Sequence, residues 1–573
     1  MLSAAGILHF LFRYLTLGRG GSRHYGALLF WCILLVYLSN GQTLWAVDTV
    51  PARYLPLSIL RDGNFDLDEF PFLLGDRVTT GLGSLLFVKG HFVSSYPVGT
   101  ALVALPFYLP SAVGPISARS PVFLELEKLS AAVIVALSVA VLYLTLRRLT
   151  TPVMASVVAV VYAFGTSSLS VSSQALWQHG PSQFTLAVAA YYLLRARERP
   201  KWVALAGFSL ALAVICRPTD LLIAAPLAVY VFLYHRRQSV GFVLGTLPPV
   251  LFQLWYNVHY FGDPARTQYP ILTAWTTPFW EGLSGILVSP NRGLFVYSPI
   301  FILSVMGAVA AWRRRGDPLL RALGIGCVLA ILPYCKWGSW WGGGSYGPRL
   351  LADLAPVLAL CLCPLSGVLA RNWPLRGCFA TLAVWSIIAH AMGAFGDGGV
   401  HYNVCKDFDR HPERLWSWTD NLLTHSSTMF FTRAAIVLTG SPTSRTAPDL
   451  LAASYRPHLT VPLVTAPSKA LTVSLVATND GRSLWLATAR GDKGQVGLAW
   501  SWLKDGRAIP GHEGRVVLCS DVLSGQSYEF VFLVDTPSEA GVYHLTLGLV
   551  DEHIRWFSDN GVPPVRLVVE VRR

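Results

Sequence analysis

The sequence predicts a polytopic α-helical membrane protein that ends in an all-β, immunoglobulin-like sandwich. Three observations carry this. Of its 573 residues, 53% are hydrophobic and only 13% charged, with a mean hydropathy of +0.47, a composition typical of membrane chains and not of soluble enzymes. Apolar runs of about 20 residues, the length that crosses a hydrocarbon core, recur as far as residue 396. Beyond residue 455 the runs shorten and alternate in the manner of half-buried strands. The net charge of +13 does not argue for nucleic acid, because the basic residues cluster in short segments between apolar runs.

The apolar runs centre on residues 27–47, 129–146, 153–171, 181–194, 202–216, 221–235, 240–258, 297–312, 319–335, 350–369 and 377–396, about eleven spans by length. Arginines set their direction. Arg13, Arg19 and Arg23 precede the first run, Arg147 and Arg148 follow the second, and Arg195, Arg197, Arg199 and Lys201 follow the fourth. Arg236 and Arg237, Arg313 to Arg315, and Arg371 with Arg376 continue the series. Every second connection is thus basic and short, as cytoplasmic loops are. The N-terminus is expected inside and the tail beyond residue 397 outside. The first 25 residues show no small-x-small site after an apolar core, so no cleaved signal peptide is expected.

Tyr96 to Gly114 is also apolar but carries Pro97, Pro106 and Pro110. Counting it as a span would invert every later basic loop, so it reads as an amphipathic or re-entrant helix on the outer face. The segment 48–127 then forms one external loop with two surface helices. The expected organisation is a helical domain over 1–400, a linker over 401–454 and the sandwich over 455–573. Alternating runs such as Leu471–Val476, Tyr528–Val534, Tyr543–Leu549 and Val565–Val571, with turns at Asn479-Asp480-Gly481 and Asp505-Gly506, define the sandwich. It reads as a rigid cover or as a carbohydrate- or acceptor-binding module, with Trp485, Trp500, Trp502 and Trp556 divided between core and sugar stacking.

Nine cysteines show no metal-ligand spacing. Cys32, Cys216, Cys327, Cys361, Cys363 and Cys378 lie in or beside apolar runs and read as buried thiols. Cys405 and Cys519 stand outside such runs, and a disulfide between them is open, with nothing in the sequence to support it.

The most informative residue is Asp48. It follows directly on the first apolar run, at the mouth of a membrane helix. A carboxylate is costly there, and such residues are functional by default. Capping of the following helix, Pro51 to Leu60, is the bland alternative. The other outer connections carry cations: Arg217 in Cys216-Arg217-Pro218-Thr219-Asp220, Arg292 in Asn291-Arg292-Gly293, and Lys336 and Arg349 at the two ends of a Trp- and Gly-rich loop. Cations on the outer side run against the sidedness bias, and anion binding explains them. Pairing of Arg217 and Arg349 with Asp220 and Asp353 is the structural alternative. Asp66, Asp68 and Glu69 form an acidic loop suited to solvent, to an acceptor hydroxyl or to a hard divalent cation.

The first span ending in Asp48, the helix Arg53 to Leu60, the turn Gly63-Asn64-Phe65 and a second surface helix opening with Tyr96-Pro97 are followed by alternating spans. Together they resemble the GT-C superfamily of polyprenyl-phosphate-sugar-dependent membrane glycosyltransferases. The branch is that of the protein O-mannosyltransferases and the lipid A aminoarabinose transferase. The likeness covers about residues 26–400. It departs at Asp48-Thr49, where that branch often has Asp-Glu, at Tyr96-Pro97-Val98 in place of Lys-Pro-Pro, and at Gln178-His179 in place of an Arg-x-x-Asp-like pair. The sandwich is not part of the shared pattern.

The resemblance implies an inverting transfer of a sugar from a polyprenyl-phosphate donor in the outer leaflet to a hydroxyl of a glycan, lipid or protein. Asp48 is then the general base. Arg217, Arg292, Lys336 and Arg349 are candidates to hold the phosphate, with His179, Tyr96 and Tyr346 adding hydrogen bonds. Trp337 and Trp340, with Trp341, would line the sugar or lipid entrance. The resemblance fixes no cofactor and leaves metal open, with a divalent cation the one candidate. Compact loops and the absence of retention signals point to a bacterial inner membrane. Competing readings are a flippase for a lipid-linked sugar, a polymerase or ligase using a polyprenyl-diphosphate glycan, and a non-catalytic assembly protein. A transporter would show internal repeats and polar groups at mid-depth. Here no repeat is visible, and the polar residues gather on one face.

Overall fold

The computed structural model describes residues 21–75, 84–112, 116–266, 275–313, 316–396, 399–457, 463–489 and 493–572. The basic residues Arg13, Arg19, Arg314 and Arg315 lie outside them, as do parts of the 48–127 segment. The chain divides into two compact units, one of residues 1–400 and 408–423, the other of 401–407 and 424–573.

The first unit is a helical assembly. Among the described residues, four helical stretches are long and apolar enough to cross a membrane: Val122–Leu146, Arg236–Phe261, Arg349–Arg371 and Trp373–Phe395. Eight shorter apolar helices accompany them, among them Trp202–Cys216 and Pro318–Tyr334. Length alone is therefore a looser criterion here than eleven uniform runs suggest. Proline and polar residues divide several runs. The stretch 349–371, for example, is a chain of short 3₁₀ and α segments. The helix Ser239–Tyr256 presents Val240, Leu244, Leu247, Leu251 and Trp255 outward. Such a face is unfavourable in water and suited to lipid. Two helices meet through glycine: a Cβ on Gly207 would overlap the Phe242 carbonyl oxygen, and one on Gly245 that of Ala204. Small residues permit this approach of backbones, the usual device of membrane helix pairs.

The segment 48–127 includes the helices Val50–Leu57 and Gly99–Ala112. Both are packed inside the unit. Val98, Ala101, Ala104 and Tyr108 form one buried face at helical spacing, in a core shared with Val50, Leu55, Leu57, Ile134, Leu176 and Tyr256. A buried ion pair, Arg53 Nε to Glu127 at 2.6 Å, joins the first of them to the helix Val122–Leu146. That helix starts seven residues before the apolar run and so includes Glu127 and Lys128. Both are buried, Lys128 Nζ donating to Gln174 Oε1 at 2.6 Å. Between the two helices the chain forms an antiparallel hairpin, β1 (Leu85–Val88) and β2 (His91–Ser94). Its turn, Lys89-Gly90, takes positive φ at both residues, as tight hairpins require.

The second unit is β-rich. β4 (Leu463–Thr465), β6 (Val496–Lys504), β7 (Arg507–Val517), β9 (Gly541–Asp551), β10 (Arg555–Trp556) and β11 (Val565–Val571) form one sheet. Its order is β4-β11-β9-β6-β7, with β10 paired to β9. β3 (Ala453–Pro457), β5 (Ala470–Asn479) and β8 (Ser527–Asp535) form another, in the order β3-β5-β8. Alternate residues of both sheets fill one core: Val473, Leu475 and Phe530 from the smaller, Leu498, Trp502, Leu545 and Val569 from the larger. Trp485 and Trp502 are wholly within it. The stretch expected as linker carries helices, Val400–Lys406 and Leu422–Thr439. Cys405 on the first of these is disulfide-bonded to Cys519.

Candidate active site

A cavity of about 570 Å³ lies in the helical unit, lined by residues from helix ends and the loops between them. Local sequence explains how each end delivers its side chain. Asp48 sits in a 3₁₀ turn, Val47–Thr49, immediately before a helix with proline in its first turn. The residue before a proline is driven out of helical geometry. Arg217 precedes Pro218 and is extended, φ −153° and ψ 108°, so the helix ends at Cys216 and the guanidinium leaves its axis. His179 opens the helix His179–Ala196, whose Pro181 falls in the first turn, where a missing N–H is harmless. Gly342 and Gly343 take φ of +75° and +64°. This left-handed turn aims the Gly342 carbonyl at Arg349.

Two clusters face the cavity. In the first, Asp48 Oδ2 lies 2.5 Å from Arg349 Nη1, and Asp48 Oδ1 accepts from the Tyr96 hydroxyl at 3.1 Å. Arg349 Nη2 also donates to Gly342 O, and its guanidinium lies over the Trp177 ring at 4.6 Å. A carboxylate has about four acceptor positions, so these two bonds leave room on each oxygen. In the second cluster, Arg217 Nε lies 2.5 Å from Asp353 Oδ2, and His179 Nδ1 lies 2.9 Å from Asp353 Oδ1. Arg217 also donates to Leu350 O at 3.1 Å and to the Tyr334 hydroxyl. Leu221, Leu222 and Pro333 supply an apolar wall, and Trp275 and Trp337 aromatic edges.

Six of the residues singled out from the sequence thus line one cavity: Asp48, Tyr96, His179, Arg217, Trp337 and Arg349. Others do not line it. Arg292 is buried, donating to Trp341 O at 2.8 Å and Asn291 O at 2.9 Å, with its guanidinium over Phe408. It ties the Trp-rich loop together from behind. Tyr346 is buried and donates to Ala389 O at 2.6 Å. Trp340 is buried against Gly285, Trp341 and Trp416. Lys336 is half-buried, and its carbonyl accepts from Thr277 N. For the three in the Trp- and Gly-rich loop the reason is common: the loop folds back on itself, Arg349 bonding Gly342 O, so only some of its side chains reach the cavity.

The alternative pairings resolve differently from either form expected. Arg217 takes Asp353, Arg349 takes Asp48, and Asp220 accepts from Ser182 Oγ at 2.5 Å. The helix after Asp48 has Thr49 at its N-cap, with no side-chain cap bond. Tyr334, Thr219, Gln178 and Ser339 also line the cavity and were not singled out as site residues. Tyr334 lies in the last turn of an apolar helix, where one hydroxyl leaves no periodic signal.

The acidic loop lies apart from this lining. Asp66, Asp68 and His91 bring ligand atoms within 4.8 Å of one another, so the cation-capable trio uses His91 from β2. Glu69 bonds Asn64 Nδ2 and Ser58 Oγ instead. Asp66 Oδ2 accepts from the Tyr260 hydroxyl, and Asp68 Oδ1 from Phe92 N at 2.7 Å. The donor set suits a divalent cation by its chemistry, but protein groups already satisfy it.

The hydrogen bond to Asp68, with the charges of Asp66 and Glu69 adding to it, raises the pKa of His91 above its ordinary value. A raised folded-state value means the contact is complete below the ordinary pKa and is lost as pH rises through the raised one. The His91 ring resonance should therefore titrate at higher pH than a free histidine. In Asp68→Asn its midpoint should return toward about 6.5. An unchanged midpoint, read by NMR of histidine-labelled protein, would remove the pairing.

The helical unit thus places a carboxylate, Asp48, and two guanidiniums, Arg217 and Arg349, around one cavity. Residues 128–254, which include His179 and Arg217, match the family model for dolichyl-phosphate-mannose-protein mannosyltransferase. No curated protein matches the chain by sequence. Among solved structures it is similar to ArnT from Cupriavidus metallidurans bound to undecaprenyl phosphate. The identity is 14%, covering 78% of this chain and 83% of that one, with a TM-score of 0.42. It is also similar to the Archaeoglobus fulgidus oligosaccharyltransferase in complex with zinc and sulfate. The identity there is 15%, covering 68% of this chain and 57% of that one, with a TM-score of 0.40. AglB of the same organism, with an inhibitory peptide and a dolichol-phosphate, is 12% identical, covering 69% and 59%, with a TM-score of 0.38.

Proposed function

We propose that the chain transfers a sugar, with inversion, from a polyprenyl-phosphate donor to an acceptor hydroxyl, and that Asp48 is the general base. The observation that carries this is the Asp48–Arg349 pair on one side of the cavity with Arg217 on another. Transfer needs those two chemistries side by side. The acceptor O–H proton passes to an Asp48 oxygen as the acceptor oxygen bonds the anomeric carbon. The bond from that carbon to the phosphate oxygen breaks, and the departing polyprenyl phosphate gains negative charge. Arg349 and Arg217 meet that charge with directed N–H donors. Arg349 touches both partners of the reaction, holding the base and facing the leaving group. The apolar wall of Leu221, Leu222 and Pro333 suits the first isoprene units.

The reading extends to topology. We take the helical unit as about eleven spans, with the cavity on the outer face. The basic connections support this direction. So does the Cys405–Cys519 disulfide, since such bonds persist in oxidising compartments. On this reading the protein is a multi-pass protein of a bacterial inner membrane. Its β-rich unit, an immunoglobulin-like sandwich, is then periplasmic.

The test is direct. The purified chain in lipid nanodiscs is supplied with polyprenyl-phosphate-linked mannose, glucose, galactose or aminoarabinose, together with cell-envelope glycans, lipids and peptides. Release of polyprenyl phosphate with a product of inverted anomeric configuration is expected. Retention of configuration, or movement of intact donor across a vesicle membrane without cleavage, would overturn the reading.

A further inference from the structure

The β-rich unit carries a groove of about 270 Å³, on the sheet face opposite its core. Strand alternation defines that face. Leu498 and Trp502 of β6 and Leu545, Leu547 and Leu549 of β9 enter the core, so Ala499, Ser501, Thr546 and Gly548 point the other way. Register then builds the groove in rows. Glu513, Ser501 and Thr546 lie side by side across β7, β6 and β9, and Arg515, Ala499 and Gly548 form the next row. Trp556 of β10 pairs with Val550, one row further along β9. Pro564 closes the far side against Gly548.

The depression exists because two adjacent positions on a sheet surface, Ala499 and Gly548, carry almost no side chain. Around that small floor stand an indole, a carboxylate, a guanidinium and two hydroxyls. Trp556 is 43% exposed. Arg515 is held in place by Glu552 at 2.9 Å and lies 5.1 Å from the Trp556 ring centre. Thr546 Oγ1 is buried at the floor with no hydrogen-bond partner among the described residues.

We propose that this groove binds a neutral hexopyranose unit of a glycan. A pyranose ring offers an apolar C–H face, which the Trp556 indole accepts, and a rim of hydroxyls. Glu513 and Arg515, two residues apart on one strand face, present an acceptor and a donor pair to adjacent hydroxyls. The groove lies below the range of about 300–1,000 Å³ usual for drug-sized ligands, which suits a single sugar unit. A phosphate or an acidic sugar would meet the Glu513 carboxylate. A lipid chain would meet too many polar groups. Trp500, which alternates to the inner face and packs on the core, is not the platform. The proposal rests on the β-rich unit alone and stands or falls independently of the transfer reaction.

The test uses the full chain in lipid nanodiscs, because glycoside detergents would themselves compete. The probes are mannan, maltodextrin, cellodextrin, laminarin and galactan tetrasaccharides, read by saturation-transfer NMR and titration. At least one should bind. Trp556→Ala and Glu513→Gln should each weaken that binding by about fivefold or more, with unchanged thermal stability. Trp556→Phe should retain most of it. Asp48→Asn should leave it intact, which separates this groove from the cavity of the helical unit. Absence of binding across the panel would overturn the proposal, as would binding that survives both Trp556→Ala and Glu513→Gln.

Discussion

Asp48→Asn is expected to lower turnover of a polyprenyl-phosphate sugar by about 10²–10⁴-fold, the usual contribution of a general base, while the protein stays folded. The amide keeps the size of the side chain and an oxygen for the Tyr96 hydroxyl, but it cannot accept the acceptor's proton. Some stability is lost with the ion pair. The Asp48 side chain is 22% exposed and that of Arg349 10%. The loss therefore falls between the roughly 1 kcal/mol of a surface pair and the roughly 3–5 kcal/mol of a fully buried one. Arg349 keeps its bond to Gly342 O and its place over Trp177. Turnover by purified Asp48→Asn, measured beside its thermal melt, decides the matter. Near-normal turnover would leave Asp48 as a tether for Arg349, and the base would have to be sought elsewhere.

Arg217→Ala is expected to fail in a different way, losing donor binding and stability together. Its partner Asp353 is buried, with a side chain 4% exposed, and the same carboxylate holds His179. Removing one member of a buried ion pair strands the other and costs about 3–5 kcal/mol. Neutralising the stranded carboxylate should recover part of that loss. The double variant Arg217→Ala/Asp353→Asn should therefore melt higher than Arg217→Ala while remaining unable to use donor. If the double variant recovers turnover along with stability, Arg217 only supports the fold and Arg349 alone faces the phosphate. If Arg217→Ala binds polyprenyl phosphate with normal affinity, the proposed clamp is wrong at this residue.

Much of the site was legible because it lies at helix ends. A carboxylate just past an apolar run, an arginine just before a proline and a glycine-rich loop between two runs are local signals. Each comes with a local physical cause: the cost of charge near lipid, the exclusion of helical geometry before proline, and the left-handed turn at Gly342 and Gly343. The strands of the β-rich unit were legible for the same reason, since period-two alternation reports burial on one face. The hairpin of β1 and β2 was not. It is short and its strands are mostly half-buried, so His91 gave no hint of joining Asp66 and Asp68.

By itself, then, the sequence determined that this chain is a membrane protein with charged residues at the ends of its helices, followed by a β-rich unit. Those properties depend on neighbours a few residues away. The tertiary structure alone decided the pairings. Arg349 reaches Asp48 across 301 positions and Arg217 reaches Asp353, whereas Arg292, equally basic and likewise in a connection between apolar runs, turns inward to hold backbone carbonyls. An arginine's charge is a property of its residue type. Whether that charge faces a cavity or a core depends on which remote segment packs against it, and no local pattern encodes that.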